Sequence, residues 1–349
     1  MKKRTFRSVI AILLALILGA LAGCGSTDTS AESTEAEEST SAESSGSSSE
    51  EEIVIRVGYF NSAPWNAAFD VAYQAGFYEE IFADDNVTVE AIQFANGPAA
   101  NEAFLAEEID FVYGIGDQPV LTALNAGQLD VQIVAGVCVV PEMGLIVAED
   151  SGIDSIEDLK GKKISVYIGT AFQKALLYIL SDYGISESDI ELVNISDSDT
   201  ALAALSTGEI DAAFVTGYSF STAEERGLGI ELCDSSSHPM YTYLEGTTEF
   251  LETYPDLVEK FLEATIQGQE YLEENPEEGY ELLSEFTGID VEQIEITVSP
   301  NDFTVQLTDG FIQNLYDTSD FLYEQGLITE RVSEETIDAH IADFLEITE

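Results

Sequence analysis

Glu108-Ile109-Asp110-Phe111-Val112-Tyr113-Gly114-Ile115-Gly116 and Glu209-Ile210-Asp211-Ala212-Ala213-Phe214-Val215-Thr216-Gly217 follow one plan twice. Each opens with Glu-Ile-Asp at the end of a helix-patterned stretch, continues as an apolar run of strand length, and meets a glycine six residues after the aspartate. Each glycine introduces another helix. Repetition of a strand-to-helix unit at matched spacing points to one supersecondary plan used twice, in residues 53 to about 140 and about 145 to 235.

Periodicity around these stretches alternates between strand and helix. Ile53 to Tyr59 reads as a strand closed by the Asn61-Ser62-Ala63-Pro64 turn cluster, and Trp65 to Glu80 reads as one helix with Ala67, Ala68, Val71, Ala72 and Ala75 on a face. A strand at Val87 to Phe94, a helix at Pro98 to Ala106 and a strand at Ile109 to Tyr113 follow. Ile164 to Tyr167 ends in Gly169-Thr170 ahead of a helix at Phe172 to Tyr183, as the first strand ends ahead of its own helix. Repeated β-α-β units predict an α/β fold of mainly parallel sheets flanked by helices. From about Ser237 the pattern turns helical, with candidates at Thr248 to Tyr254, Pro255 to Asn275, Pro276 to Phe286 and Val305 to Gln325. These helices are expected to return to the first lobe.

The start of the chain addresses it to a membrane surface. Lys2, Lys3, Arg4 and Arg7 precede an apolar run from Val9 to Ala22, the order of a secretion signal. At 1.5 Å per residue that run reaches about 21 Å, short of the roughly 30 Å needed to span a bilayer. Leu21-Ala22-Gly23-Cys24 resembles the bacterial lipobox, which implies cleavage after residue 23 and lipidation of Cys24. Residues 25–52 are rich in Ser and Glu and lack aromatic and branched apolar side chains, so residues 24–52 read as a lipidated cysteine with a disordered tether.

Charge excludes one class of partner. The 349 residues carry 67 acids against 12 Lys and Arg, a formal net charge of -55. A polyanion with no basic stripe repels nucleic acid. Three cysteines are too few and too dispersed for a disulfide scaffold or clustered metal site. Cys138 and Cys233 read as inert thiols, with a pairing near the lobe crossover as the alternative. His238 and His340 fall outside the predicted strand-end loops, and no catalytic or nucleotide-binding motif occurs, so neither an enzyme nor a cofactor is expected.

Open sheets bind ligands beyond the carboxyl ends of their strands, where glycines admit close approach and helix starts present free amides. The strand-end loops are Tyr59-Phe60-Asn61-Ser62, Asn96-Gly97-Pro98-Ala99, Gly116-Asp117-Gln118, Gly136-Val137, Gly169-Thr170-Ala171-Phe172 and Thr216-Gly217-Tyr218-Ser219, with Trp65 just beyond the first. Several have a purely structural reading beside the functional one. Asp117 before Pro119 suits a helix cap, Thr170 suits another, and Trp65 fits a buried helix face as well as a ligand stack.

Phe94 to Ala103, then Glu108-Ile109-Asp110-Phe111 and Gly116-Asp117-Gln118-Pro119, resemble the first lobe of nitrate/sulfonate/taurine-type solute-binding proteins of ABC importers. Asp158 to Ile164 with Gly169-Thr170 is similar to that family's second lobe, and the stretch from Glu249 to Glu278 to its helical return. The resemblance implies a two-lobed periplasmic-binding-protein (type II) fold. Lobe I would be residues 53–142 plus 237–349 and lobe II residues 143–236, with a ligand enclosed between them. It further implies a monomeric, lipid-anchored protein on the extracytoplasmic face of a Gram-positive-type cell, delivering its solute to a permease driven by a cytoplasmic ATPase. A sulfonate- or taurine-like anion held by the helix-start amides of Ala99, Gln118 and Ala171 is the first expectation for the ligand. The alternatives are an amine or pyrimidine-like ring recognised by Asp117 with Tyr59, Phe60, Phe172 and Tyr218, or a surface sensor or adhesion role.

Overall fold

The structure, a computed structural model, describes residues 52–60 and 63–348. The lipobox, Cys24, the tether, Asn61 and Ser62 lie outside the described residues. In chain order the strands are β1 (Ile53–Phe60), β2 (Val87–Phe94), β3 (Phe111–Gly116), β4 (Val131–Val140), β5 (Met143–Val147), β6 (Lys163–Val166), β7 (Glu191–Asn194), β8 (Ala212–Thr216), β9 (Ile230–Asp234), β10 (Met240–Thr247), β11 (Asp302–Thr308) and β12 (Ile347–Thr348). They form a seven-stranded sheet, β12-β11-β4-β10-β3-β1-β2, and a five-stranded sheet, β7-β6-β8-β5-β9. The second sheet is thus built wholly from the chain between β4 and β10.

Pairing is parallel where a helix crosses over, at β1 with β2 and β3 and at β6 with β7 and β8. The sheets are mixed rather than mainly parallel, because the strands that carry the chain between sheets run the other way: β10 against β3 and β4, β11 against β4, and β5 against β8 and β9. Sequence periodicity reports burial, not strand direction, so this was not legible.

Two further departures have local causes. The stretch from Trp65 to Glu80 is a 3-10 turn (Pro64–Asn66) and two helices, Ala67–Ala75 and Phe77–Ile81, because Gly76 sits at φ 82° and its amide closes the first helix onto Ala72 and Tyr73. The stretch from Val305 to Gln325 begins as β11, and its helix starts only at Asp309, where Thr308 Oγ1 accepts the Phe311 amide. Val305 and Leu307 are buried at spacing two, a strand signal too short to stand out beside sixteen helical residues.

The Glu-Ile-Asp repeat has a single physical meaning in both sheets. Asp110 Oδ2 accepts the Arg56 backbone amide at 2.8 Å, while the Asp110 amide donates to the Arg56 carbonyl at 2.9 Å. Asp211 Oδ2 accepts the Lys163 amide at 2.8 Å and its own amide donates to the Lys163 carbonyl, also at 2.8 Å. Each aspartate clamps the start of its strand to the neighbouring strand, immediately before the parallel registers Val57↔Phe111 and Ile164↔Ala212 begin. The turns before them also match, with Glu108 donating to Ala103 and Glu209 to Ala204 at 3.0 Å.

The two clamps differ in burial. Asp110 also takes Arg56 Nε at 2.9 Å and Nη2 at 2.6 Å with its side chain 9% exposed, whereas Asp211 is 40% exposed with Lys162 at 3.9 Å. Charge-assisted hydrogen bonds contribute about 1.5–3 kcal/mol when buried, and exposed pairs far less. Asp110→Ala is therefore expected to lower the urea midpoint clearly more than Asp211→Ala, and equal losses would mean that burial does not set the worth of the clamp.

Glu245 on β10 is fully buried, and neither carboxylate oxygen has a hydrogen-bond partner among the described residues. Burial pushes its pKa from 4.5 up to about 8. Between those values the folded protein holds a proton that the unfolded chain releases, so the residue's contribution to stability falls as pH rises through that window. Glu245→Gln should therefore gain stability over the native protein progressively from pH 5 to pH 8.5 in urea titrations; a pH-independent difference would contradict the assignment.

Candidate functional site

The carboxyl ends of β1, β3, β6 and β8 converge on a cavity of about 310 Å³. Its aromatic wall is set by a glycine. Gly114 sits at φ +80°, and a Cβ there would stand 2.2 Å from Asn66 Oδ1 and 2.7 Å from Trp65 Cδ1, so only glycine lets the Pro64–Asn66 turn lie against β3. Asn66 Nδ2 fixes that turn by donating to the Phe60 carbonyl at 2.7 Å. Trp65 then meets Phe172 edge-on, with ring centroids 5.8 Å apart. Phe60 and Tyr167 complete the wall.

Residues of the loop after β7 and the start of the next helix (Ser198–Thr207) also line the cavity. Asp197 caps that helix, Oδ1 accepting the Thr200 amide at 2.7 Å. Asp199 accepts Ser219 Oγ at 2.8 Å and is paired from outside by Arg226 at 3.0 Å. Both carboxylates line the cavity, and among the described lining residues there is no Lys or Arg.

Two nearby cations are already paired, Arg226 with Asp199 and Lys174 with Asp117. Lys174, one turn inside the helix Ala171–Asp182, is 2% exposed and ion-paired with Asp117 Oδ2 at the start of the helix Asp117–Ala126. Asn314, from the helix Asp309–Glu324, donates to the same oxygen at 3.0 Å and to Tyr243 Oη at 3.0 Å. Asp117 consequently does not cap its helix, a position held by Gly116. Gly116 is needed for another reason: a Cβ there would lie 2.8 Å from Ala171 Cβ, where the starts of the two helices meet. Asn96 bonds across the cavity from Nδ2 to Tyr167 Oη, and its Oδ1 takes the Ala99 amide at 2.8 Å.

Of the residues singled out from sequence, Phe60, Trp65, Gly97, Gly116, Thr170, Ala171, Phe172 and Thr216 line this cavity. Gly217 and Tyr218 line an adjoining one. Tyr59 turns away to pack on Phe69 and Phe286, and Gly136 lies under the Phe311 ring, where a Cβ would come within 2.4 Å. Gln118 is buried facing Gln173 Oε1 at 3.5 Å, and Pro98 stands beside Gly169 outside the lining. Thr170 does cap its helix, accepting the Phe172 amide at 3.3 Å. The Ala99 amide, an expected anion donor, is already taken by Asn96, and Asp117, an expected amine partner, is neutralised by Lys174.

Asn96, in one of the predicted strand-end loops, also lines the cavity; missed were Tyr167, Asp197 and Asp199. The loop after β7 obeys the strand-end rule, but β7 is a four-residue, half-exposed edge strand whose Glu191-Leu192-Val193-Asn194 carries almost no periodicity. Cys138 and Cys233 are both free. His238 pairs with Asp182 at 2.8 Å and His340 bonds the Thr336 carbonyl, both outside the cavity lining. Among the described residues no His, Cys, Asp and Glu group is arranged to hold a metal ion, and no helix is long and apolar enough to cross a membrane.

Two mixed α/β sheets with a cavity at their strand ends describe a solute-binding fold of the periplasmic type, and known structures agree. The periplasmic aliphatic sulphonate binding protein SsuA of Escherichia coli superposes with a TM-score of 0.71 at 22% identity, covering 83% of this chain and 97% of that one. The NMT1/THI5-like family model matches residues 63–279, and the chain belongs to that family. A Bacillus subtilis protein named for binding aliphatic sulfonates is 24% identical over 92% of this chain and 91% of its own. A Legionella pneumophila protein named 4-amino-5-hydroxymethyl-2-methylpyrimidine phosphate synthase is 26% identical over 63% of this chain and 69% of its own.

Proposed function

We propose that the protein is the solute-binding component of an ABC importer, and that it captures a small, flat, amine-bearing or pyrimidine-like organic molecule. On this reading the lobes of residues 53–142 with 237–349 and of residues 143–236 close on the ligand, Cys24 carries the membrane anchor, and a permease with its ATPase receives the solute. The observation that carries the ligand class is the lining: the aromatic Phe60, Trp65, Tyr167 and Phe172, the acidic Asp197 and Asp199, and no base among the described lining residues. Aromatic faces favour flat rings and cations. A unit anion about 7 Å from one ionised carboxylate, at an effective dielectric near 20, is disfavoured by about 2 kcal/mol.

The sulfonate reading is supported by the names of the relatives, and it was the first expectation from sequence. It requires an anion to enter a site whose nearest lysine is already bound to Asp117. Binding rather than turnover is supported by relatives named as binding proteins.

Thermal unfolding with a panel of aminopyrimidines, amines, alkanesulfonates, taurine and nitrate separates the readings. A ligand at a hundred times its Kd stabilises by about 2.7 kcal/mol. The expected result is a rise in Tm with aminopyrimidines or amines and none with sulfonates. A rise with sulfonates alone would overturn the ligand class while leaving the transport role.

A further inference from the structure

We propose that the cavity beside the first is a subsite for the ammonium group of the solute, with Asp70 as its counter-ion. This rests on the amine reading above and deepens it, because neither the ligand loops nor the aromatic wall contains Asp70. The side chain stands on the otherwise apolar face of the helix Ala67–Ala75, between buried Ala67, Ala68, Val71 and Ala72. It is 2% exposed, and its Oδ1 has no hydrogen-bond partner among the described residues. No Lys, Arg or His is ion-paired with it among the described residues. A buried carboxylate left in that state costs stability and calls for an explanation.

The cavity supplies one. Asp70 lines a space of about 250 Å³ whose other walls include Leu283 and Ile294, with Gln293 and Thr297 as polar neighbours. It adjoins the aromatic cavity, since Pro64, Thr216, Ser219, Asp197 and Asp199 line both. A solute with a ring against Trp65 and Phe172 and a short chain ending in an ammonium would occupy the two together. Leu283, Ile294 and Val298 give the subsite an apolar side, Asp197 and Asp199 add negative charge on its lining, and burial of Asp70 strengthens its attraction for a cation over that of a surface carboxylate. Burial alone already holds the Asp70 carboxyl well above its ordinary value of 3.8, as expected for a charge with nothing to neutralise it.

The test is calorimetric titration at pH 8 of the native protein and Asp70→Asn with three isosteric probes: phenethylamine, 2-phenylethanol and 2-phenylethanesulfonate. Phenethylamine should bind the native protein at least tenfold more tightly than the alcohol. Asp70→Asn should weaken the amine tenfold or more and change the alcohol less than twofold. Preference for the amine that survives Asp70→Asn unchanged would overturn the subsite and spare the amine reading; preference for the sulfonate in the native protein would overturn both. A ligand-free readout stands beside these. Asp70→Asn should melt at or above the native protein at pH 8, since it removes a buried carboxyl whose Oδ1 has no hydrogen-bond partner among the described residues, and a lower Tm would make Asp70 a structural partner and overturn the proposal whatever the titrations give.

Discussion

Lys174 and Asp117 form an ion pair with both side chains almost wholly out of water, at the point where the two sheets' helices meet. The helix carrying Lys174 packs on β6, and the one carrying Asp117 packs on β3, so the pair joins elements of both sheets. Asn314 and Tyr243 extend it, and Tyr243 Oη donates a hydrogen bond to the Phe311 carbonyl at 2.9 Å. Tyr178, one turn after Lys174, stacks on Phe321 of the helix Asp309–Glu324 and on His238. Desolvating two charges costs several kcal/mol each, and only close geometry with added hydrogen bonds offsets that cost. The arrangement therefore fixes where these three helices stand, and with them the mouth of the cavity.

The same pair sets the electrostatics of the site. Had Lys174 faced the cavity, an anion would find a counter-charge there. Bound to Asp117, it leaves the lining to Asp197 and Asp199, of which Arg226 pairs only the second. The glycines cooperate sterically: Gly116 lets the two helix starts approach, and Gly114 seats Trp65 against β3. The charge of the lining thus depends on a side chain that is not part of it.

The doubled plan was readable because its parts stand together in the chain: Glu108 and Glu209 each close a turn within a few residues, and the aspartate two residues on clamps a neighbouring strand, so composition and spacing both record it. The strand-end rule likewise singles out Phe60, Gly116, Thr170 and Thr216, and these residues line the cavity. The partner of Lys174 was not readable, since 57 residues separate it from Asp117 and nothing in an amphipathic helix marks which distant acid it meets. Asp197 and Asp199 were hidden by abundance, two among 67 acids. Asp70 did leave a signal, an acid in the middle of an alanine and valine face, where a surface charge has no reason to be.

A double-mutant cycle on Asp117→Leu and Lys174→Met measures the central interaction directly. Each single variant leaves one charge buried without its partner and should lose about 3–5 kcal/mol of unfolding free energy. The double variant should lose much less than the sum, because it buries no charge at all. Losses that add within about 0.5 kcal/mol would contradict the account, since independent sites behave that way and a buried pair on which the helix junction depends cannot.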